Sequence, residues 1–180
     1  EQCARLSDPV VELAVQVECC AQAAGRFGVV TSPGQGPAQV VEGEGLPGSA
    51  VELLAEVDTV ALGLLALGVT KGDRVGIWAP NCPEWTFVQY ATARIGAILV
   101  NVNPAYRSHE LSFVVGQSGM RTIVAVPEFK GSSYADMIAE AQAEHPSLAD
   151  VVLIGTDSWE QLCDAGRDGD RERLTEIEGG

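Results

Sequence analysis

Four short apolar runs, each closed by a polar turn and separated from the next by a helix-length segment, constrain this chain more than any other feature. They are "RVGIWA" (Arg74–Ala79), "ILVNV" (Ile98–Val102), "RTIVAV" (Arg121–Val126) and "VVLI" (Val151–Ile154). A strand with one face in water alternates apolar and polar residues. These runs are nearly continuous, so both of their faces must be covered, and the segments between them are long enough for crossover helices. The expected fold class is α/β, a parallel sheet flanked by helices.

The intervening segments carry helix punctuation. Leu54, Val57, Ala61, Leu64 and Leu65 follow helical spacing, and Gly68 is placed to end that helix. Pro83 opens a helix expected to reach Ala97, with Glu84 in its first turn. Ser108 is the expected cap of a further helix ending at Gly119. Ser133 with Asp136, and Ser158 with Gln161, have capping-box spacing, and His145-Pro146 stops the helix between them. The expected organisation is a poorly patterned segment over 1–48, an α/β subdomain over 49–163, and an acidic linker or short exposed helix over 164–180.

Charge and cysteine usage narrow the partners. The formal net charge is −14 and the eleven Lys and Arg are scattered, which argues against nucleic acid or an anionic surface. The longest strictly apolar runs are far short of the ~20 residues a membrane helix needs, so no transmembrane span is expected. The five cysteines include the adjacent Cys19-Cys20 and form no C-x-x-C, which suits free thiols and a cytoplasmic location. His109 and His145 have no ligand-like spacing to cysteine, and no metal site is expected.

Several stretches could carry chemistry. Gly43 to Gly48, "GEGLPG", has the spacing of the dinucleotide fingerprint and precedes a helix. It lacks a long strand before it and an acid after the second strand, and Glu44 would stand beside the phosphates. Lys71 and Lys130 each neighbour a glycine and read as turn residues. Trp78, Trp85 and Phe87 flank a strand-to-helix junction and read as core. Asn103, Pro104, Tyr106 and Arg107 lie where a strand ends and a helix begins, the edge at which open α/β sheets hold ligands. Position alone favours a capped turn, with Asn103 and Ser108 bonding backbone amides and Tyr106 packed over the sheet.

"LLALGVTKGDRVGIWAPNCPEW" (Leu64–Trp85) and "ATARIGAILVNVNPAYRSHELSFVVGQSG" (Ala91–Gly119) together resemble the N-terminal region of fatty-acyl-CoA synthetases. These are members of the adenylate-forming superfamily, and the similarity is to medium-chain acyl-CoA ligases. Four linked features carry the resemblance: the "LGV-KGDRV" turn, "N-PEW", "ARIGAI" and "N-NPAYR--EL". It runs from about Leu53 to about Leu162, and Glu1 to Gly48 departs from it.

The resemblance implies an acid–thiol ligase. ATP activates a carboxylic acid to an acyl-adenylate with release of pyrophosphate, and coenzyme A then displaces AMP to give the thioester, with Mg on the triphosphate. It further implies that the phosphate loop, the acyl pocket and a C-terminal domain with a catalytic lysine lie outside these residues. The chain is therefore expected to be a fragment, inactive alone, with no catalytic residue and no tightly bound cofactor. The resemblance places Asn103, Tyr106 and Arg107 near a coenzyme A channel. Fatty acid, ATP and coenzyme A are the partners it implies for a complete enzyme, and self-association through an exposed apolar face is expected of this portion. Two other readings stay open: a non-catalytic docking module, and a small nucleotide-binding domain using Gly43 to Gly48.

Overall fold

The structure, a computed structural model, describes residues 50–178, with the side chain of Glu178 left out. The Gly43–Gly48 stretch, the Cys19-Cys20 pair and the rest of segment 1–48 lie outside the described residues. The chain divides into two units, Glu1–Ala55 and Glu56–Gly180. Of the first, only the opening turns of helix α1 (Ala50–Ala66) are described. The second unit carries the sheet.

After α1 come β1 (Arg74–Trp78), α2 (Pro83–Arg94), β2 (Ile98–Asn101), α3 (Ser108–Ser118) and β3 (Thr122–Ala125). A hairpin of β4 (Glu128–Phe129) and β5 (Ser132–Ser133) leads into α4 (Tyr134–Glu144), followed by β6 (Asp150–Leu153), α5 (Asp157–Arg167) and α6 (Glu172–Glu178). The main sheet is parallel throughout, with strand order β2-β1-β3-β6. The expected parallel sheet flanked by helices is the fold observed.

The strand order decides which helix covers which face. The chain steps from β1 to β2 in one direction and from β2 to β3 in the other. Right-handed crossovers then put α2 on one face and α3 and α4 on the opposite one. The packing agrees. Leu111 and Val115 of α3 and Tyr134, Ile138 and Ala141 of α4 share one buried cluster with Trp78, Met120, Ile123 and Ala125. The alternate residues Val75, Ile77 and Val124 are also fully buried, but outside that cluster. Gly76 leaves room for Met120, whose sulfur would lie 2.5 Å from a Cβ built at that position.

At the amino edge of the sheet, α1 ends in a Schellman turn. Gly68 adopts φ +84°, which a side chain would strain. Val69 N–H then donates to Leu64 O (3.0 Å) and Gly68 N–H to Leu65 O (3.0 Å). The Arg121 guanidinium donates to the remaining carbonyls, Leu67 O at 3.0 Å and Gly68 O at 3.3 Å, and pairs with Asp150 at 3.1 Å. One side chain thus ties the end of α1 to the starts of β3 and β6. The adjacent turn is closed by the Asp73 carboxylate, which accepts from Thr70 N–H and Thr70 Oγ1, each at 2.8 Å.

Some details differ from the sequence expectation. The run Ile98–Val102 reads as a buried strand, yet β2 is an edge strand with Ile98 49% exposed, because it has a neighbour on one side only. Helix α2 stops at Arg94 instead of Ala97, since Gly96 takes φ +70° and breaks the helical path. The cap of α3 is Arg107 and not Ser108, and the cap of α5 is Thr156. Ser158 instead accepts the Leu153 N–H at 2.8 Å, closing the turn after β6. Ser133 does cap α4, accepting from Asp136 N–H at 3.2 Å. Within the acidic stretch after Asp164 the helix α6 forms, lies against α2, and buries Leu174.

Helices α1 and α5 meet through glycine. A Cβ at Gly166 would land on the Thr59 carbonyl, and one at Gly63 on the Leu162 carbonyl, so the two backbones approach closer than any side chain allows. Because backbone and not a flexible side chain must yield, Gly166→Ala is expected to destabilise the fold by about 1–3 kcal/mol despite alanine's better helix propensity. A urea melt in which Gly166→Ala matched or exceeded the native midpoint would contradict this packing.

Candidate functional site

All the strands of the main sheet run the same way, so their carboxyl ends share one edge. The connections reverse direction between β1 and β3, and such a reversal is where open α/β sheets leave a crevice for ligands. The loops reaching this edge are 79–82 after β1, 102–107 after β2, 126–127 after β3 and 154–156 after β6.

The loop after β2 is held by side chains from two other elements. Trp78, the last residue of β1, donates its indole N–H to Asn103 O at 3.0 Å. Tyr134, the first residue of α4, donates its hydroxyl to Pro104 O. The two rings stack with centroids 3.6 Å apart and planes 6° from parallel, and both are fully buried. A near face-on arrangement gains little from the ring quadrupoles, so the value of the stack is the apolar area it removes from water. Phe129 of the hairpin adds an edge contact to Tyr134 at 6.2 Å.

Within the loop, Asn103 Oδ1 accepts Ala105 N–H at 2.9 Å, and Asn103 O accepts Tyr106 N–H at 3.0 Å. This is an Asx turn of the kind asparagine favours. Arg107 N–H donates to Glu110 Oε2 at 3.1 Å, half of a capping box, and the Arg107 guanidinium donates to Ser132 Oγ at 2.6 Å. The Glu110 carboxyl is held below its ordinary value, first by its own backbone N–H and then by that of Arg107.

The three residues expected to face a coenzyme A channel therefore have distinct placements. Asn103 and Arg107 are exposed on the same turn, whereas Tyr106 is half-buried and packs against the core cluster. Asn103 spends its side-chain carbonyl on the turn itself. Arg107 gives up one guanidinium N–H to Ser132 and keeps the rest for other acceptors. Lys71 lies in the turn at the opposite edge of the sheet, and Lys130 lies at the hairpin tip over Phe129, 5.3 Å from its ring centre.

Neither Ser132 nor Tyr134 stands in a motif that the sequence marks as a site. The hairpin that carries Ser132 has a signal, the pair Lys130-Gly131, both at positive φ (+49° and +74°) as a two-residue turn requires. Its strands are too short to show any alternation.

A groove of about 650 Å³ lies elsewhere, between α3 and α4, and is lined by Ser112, Phe113, Glu144 and His145 among others. Ser112 Oγ sits 2.9 Å from His145 Nε2 but donates its proton to Glu144 Oε2. With that proton committed to a carboxylate, the imidazole is not poised to take it, so the trio is not a nucleophile with its base. The free thiols Cys82 and Cys163 are likewise unreactive in character, since burial pushes each up to about 11.

The sequence matches the family described as AMP-binding enzyme over residues 36–176. The chain belongs to the AMP-binding enzyme family. Similar proteins include the mitochondrial medium-chain acyl-CoA ligase ACSF2 of Mus musculus, 46% identical over 93 residues. That match covers 52% of this chain and 15% of the relative. ACSF2 of Danio rerio is 40% identical over 103 residues, covering 57% of this chain and 17% of the relative. An inhibitor-bound crystal structure of the N-terminal domain of FACL13 from Mycobacterium tuberculosis superposes with a TM-score of 0.56. There the identity is 27%, with 68% of this chain and 29% of that one covered. The chain thus spans a small part of the length of the curated relatives it matches.

The acyl-CoA ligases of the AMP-binding family use ATP, Mg and coenzyme A. Among the described residues no group of three or more His, Cys, Asp or Glu could hold a metal ion, so the residues here do not form a protein cage for Mg. Arg107 does suit a phosphate, as an exposed guanidinium with donors to spare.

Tyr134 allows the contributions at this edge to be separated. Tyr134→Phe should cost about 1 kcal/mol, the net worth of the hydroxyl bond, while Tyr134→Ala should cost about 3–5 kcal/mol by emptying the stack. Equal losses in urea denaturation would contradict the primacy of the stacked area. Glu110 supplies a pH test. Its folded pKa is lowered, so its contribution is present above the ordinary value near 4.5 and is lost as pH falls through the folded one. Carbon NMR of the Glu110 carboxyl should show a midpoint below 4.5, with the first-turn amides of α3 moving in step. Glu110→Gln should abolish that response, and a midpoint at or above the ordinary value would exclude the cap.

Proposed function

We propose that this chain is the N-terminal scaffold portion of an ATP-dependent fatty acid–coenzyme A ligase and that it supplies one wall of the coenzyme A site without catalysing the reaction alone. The observation that carries the reading is the Asn103–Arg107 turn, fixed at the carboxyl edge of a parallel sheet in a chain of the AMP-binding family. In the complete reaction a carboxylate oxygen attacks the α-phosphorus of ATP, pyrophosphate leaves, and the coenzyme A thiol then expels AMP from the acyl-adenylate. Stabilising the charge that develops on phosphorus calls for converging cations and backbone amides. The role proposed for Arg107 is narrower: it attracts a phosphate of coenzyme A, while Asn103 and the buried part of Tyr106 hold the turn from which it projects.

The similarity to medium-chain acyl-CoA ligases supports a fatty acid as the carboxylate substrate. The small share of those relatives that the chain matches supports its inactivity alone. The 180-residue chain should therefore give no fatty-acid-dependent exchange of labelled pyrophosphate into ATP. Exchange above a no-enzyme control would overturn the scaffold reading.

A further inference from the structure

Arginine loses about 2 kcal/mol of rotamer entropy when it is held, so an exposed guanidinium pinned in one place needs a reason. Arg107 is pinned at both ends. Its backbone N–H is bonded to Glu110, and its guanidinium is bonded to Ser132 Oγ at 2.6 Å, across a separation of 25 residues. Ser132 is the first residue of β5, and the positive-φ pair Lys130-Gly131 returns the chain so that this hydroxyl meets the loop after β2. The hairpin is anchored in turn, since Tyr134 N–H and Ala135 N–H both donate to Pro127 O, at 2.9 and 3.2 Å, and Phe129 packs on Tyr134. The ion pairs of the described residues engage Arg94, Arg121 and Arg167, whereas the partner of Arg107 is a neutral hydroxyl. A carboxylate partner would cancel its charge. The hydroxyl orients the head without forming an ion pair, while the nearby Glu110 carboxylate, which feels the Arg107 charge, bonds the Arg107 backbone N–H instead.

We infer that Ser132 is a positioning residue for the phosphate-binding arm Arg107, and that the β4–β5 hairpin exists at this edge to present its hydroxyl. This rests on the reading of Arg107 as a coenzyme A contact. In that arrangement the ligand does not have to order the side chain itself, so part of the binding cost is met in the free protein.

The test uses the whole 180-residue chain, its Arg107→Ala, Ser132→Ala and Ser132→Thr variants, and coenzyme A at millimolar concentrations followed by NMR. Exchange of the Arg107 guanidinium protons with water is the readout independent of ligand. Ser132→Ala should speed that exchange several-fold and weaken coenzyme A roughly three- to tenfold, the worth of one hydrogen bond. Ser132→Thr, which keeps the hydroxyl, should restore both, and Arg107→Ala should weaken coenzyme A at least as much as Ser132→Ala does. If Arg107→Ala weakens coenzyme A and Ser132→Ala does not, the positioning role is wrong and the coenzyme A reading stands. Loss in both Ser132→Ala and Ser132→Thr would show that shape and not the hydroxyl matters, and would also overturn the role. Unchanged affinity in Arg107→Ala, or no response of the native chain to coenzyme A, would overturn the coenzyme A reading, and the positioning role with it.

Discussion

The carboxyl edge of this sheet depends on the burial of Tyr134 against Trp78. The two residues come from α4 and β1, far apart in the chain, and their rings lie 3.6 Å apart within the buried cluster that α3 and α4 share with the sheet. Emptying such a site costs about 3–5 kcal/mol, several times the worth of either hydrogen bond the rings make with the loop. Burial therefore fixes the rings, and the fixed rings then aim an indole N–H and a phenol hydroxyl at consecutive carbonyls, Asn103 O and Pro104 O. The loop does not hold itself at the edge; the core holds it.

The two edges of the sheet are stabilised by different physics. At the amino edge, charge does the joining: Arg121 binds the Leu67 and Gly68 carbonyls just past α1 and the Asp150 carboxylate, and the Asp73 carboxylate, held below its usual value by the Thr70 bonds, closes the turn before β1. Those polar groups are consumed by structure. At the carboxyl edge, aromatic burial and backbone carbonyls do the same work, and Arg107 keeps guanidinium donors beyond the one given to Ser132. A binding surface can be carried only by the second kind of edge, because a charged group already neutralised by a neighbour has little left to offer a ligand.

The sheet was legible because buried parallel strands leave a local trace. Each of β1, β3 and β6 is a continuous apolar run, and the glycines at 68 and 119 mark helix ends by a conformation that other residues resist. Strand order was not legible, since nothing local distinguishes an edge strand such as β2 from a central one such as β1. For the same reason the run from Ile98 read as buried while Ile98 itself is half exposed. The cap of α5 shifted because a serine near a helix start has several competing amides within reach. Ser158 took the amide of Leu153 in the strand behind it instead of one in the helix ahead. At the candidate site, Asn103 and Arg107 were visible as polar residues at a strand-to-helix junction. Their partners Trp78, Ser132 and Tyr134 were not, because the contacts depend on the register that sets β1 beside β2 and β3.

That distinction bears on what this edge can do in a chain of the AMP-binding family. The adenylation proposed for the complete enzyme needs several charged groups to converge on one phosphorus, and convergence is a property of tertiary structure more than of any one segment. In the described residues the polar groups at the carboxyl edge chiefly bond one another: Asn103 with Ala105, Glu110 with Arg107, Arg107 with Ser132. Such internal satisfaction makes a rigid wall. Under the proposed reading this edge contributes through placement, with Arg107 as the cation of the turn that keeps guanidinium donors beyond its bond to Ser132.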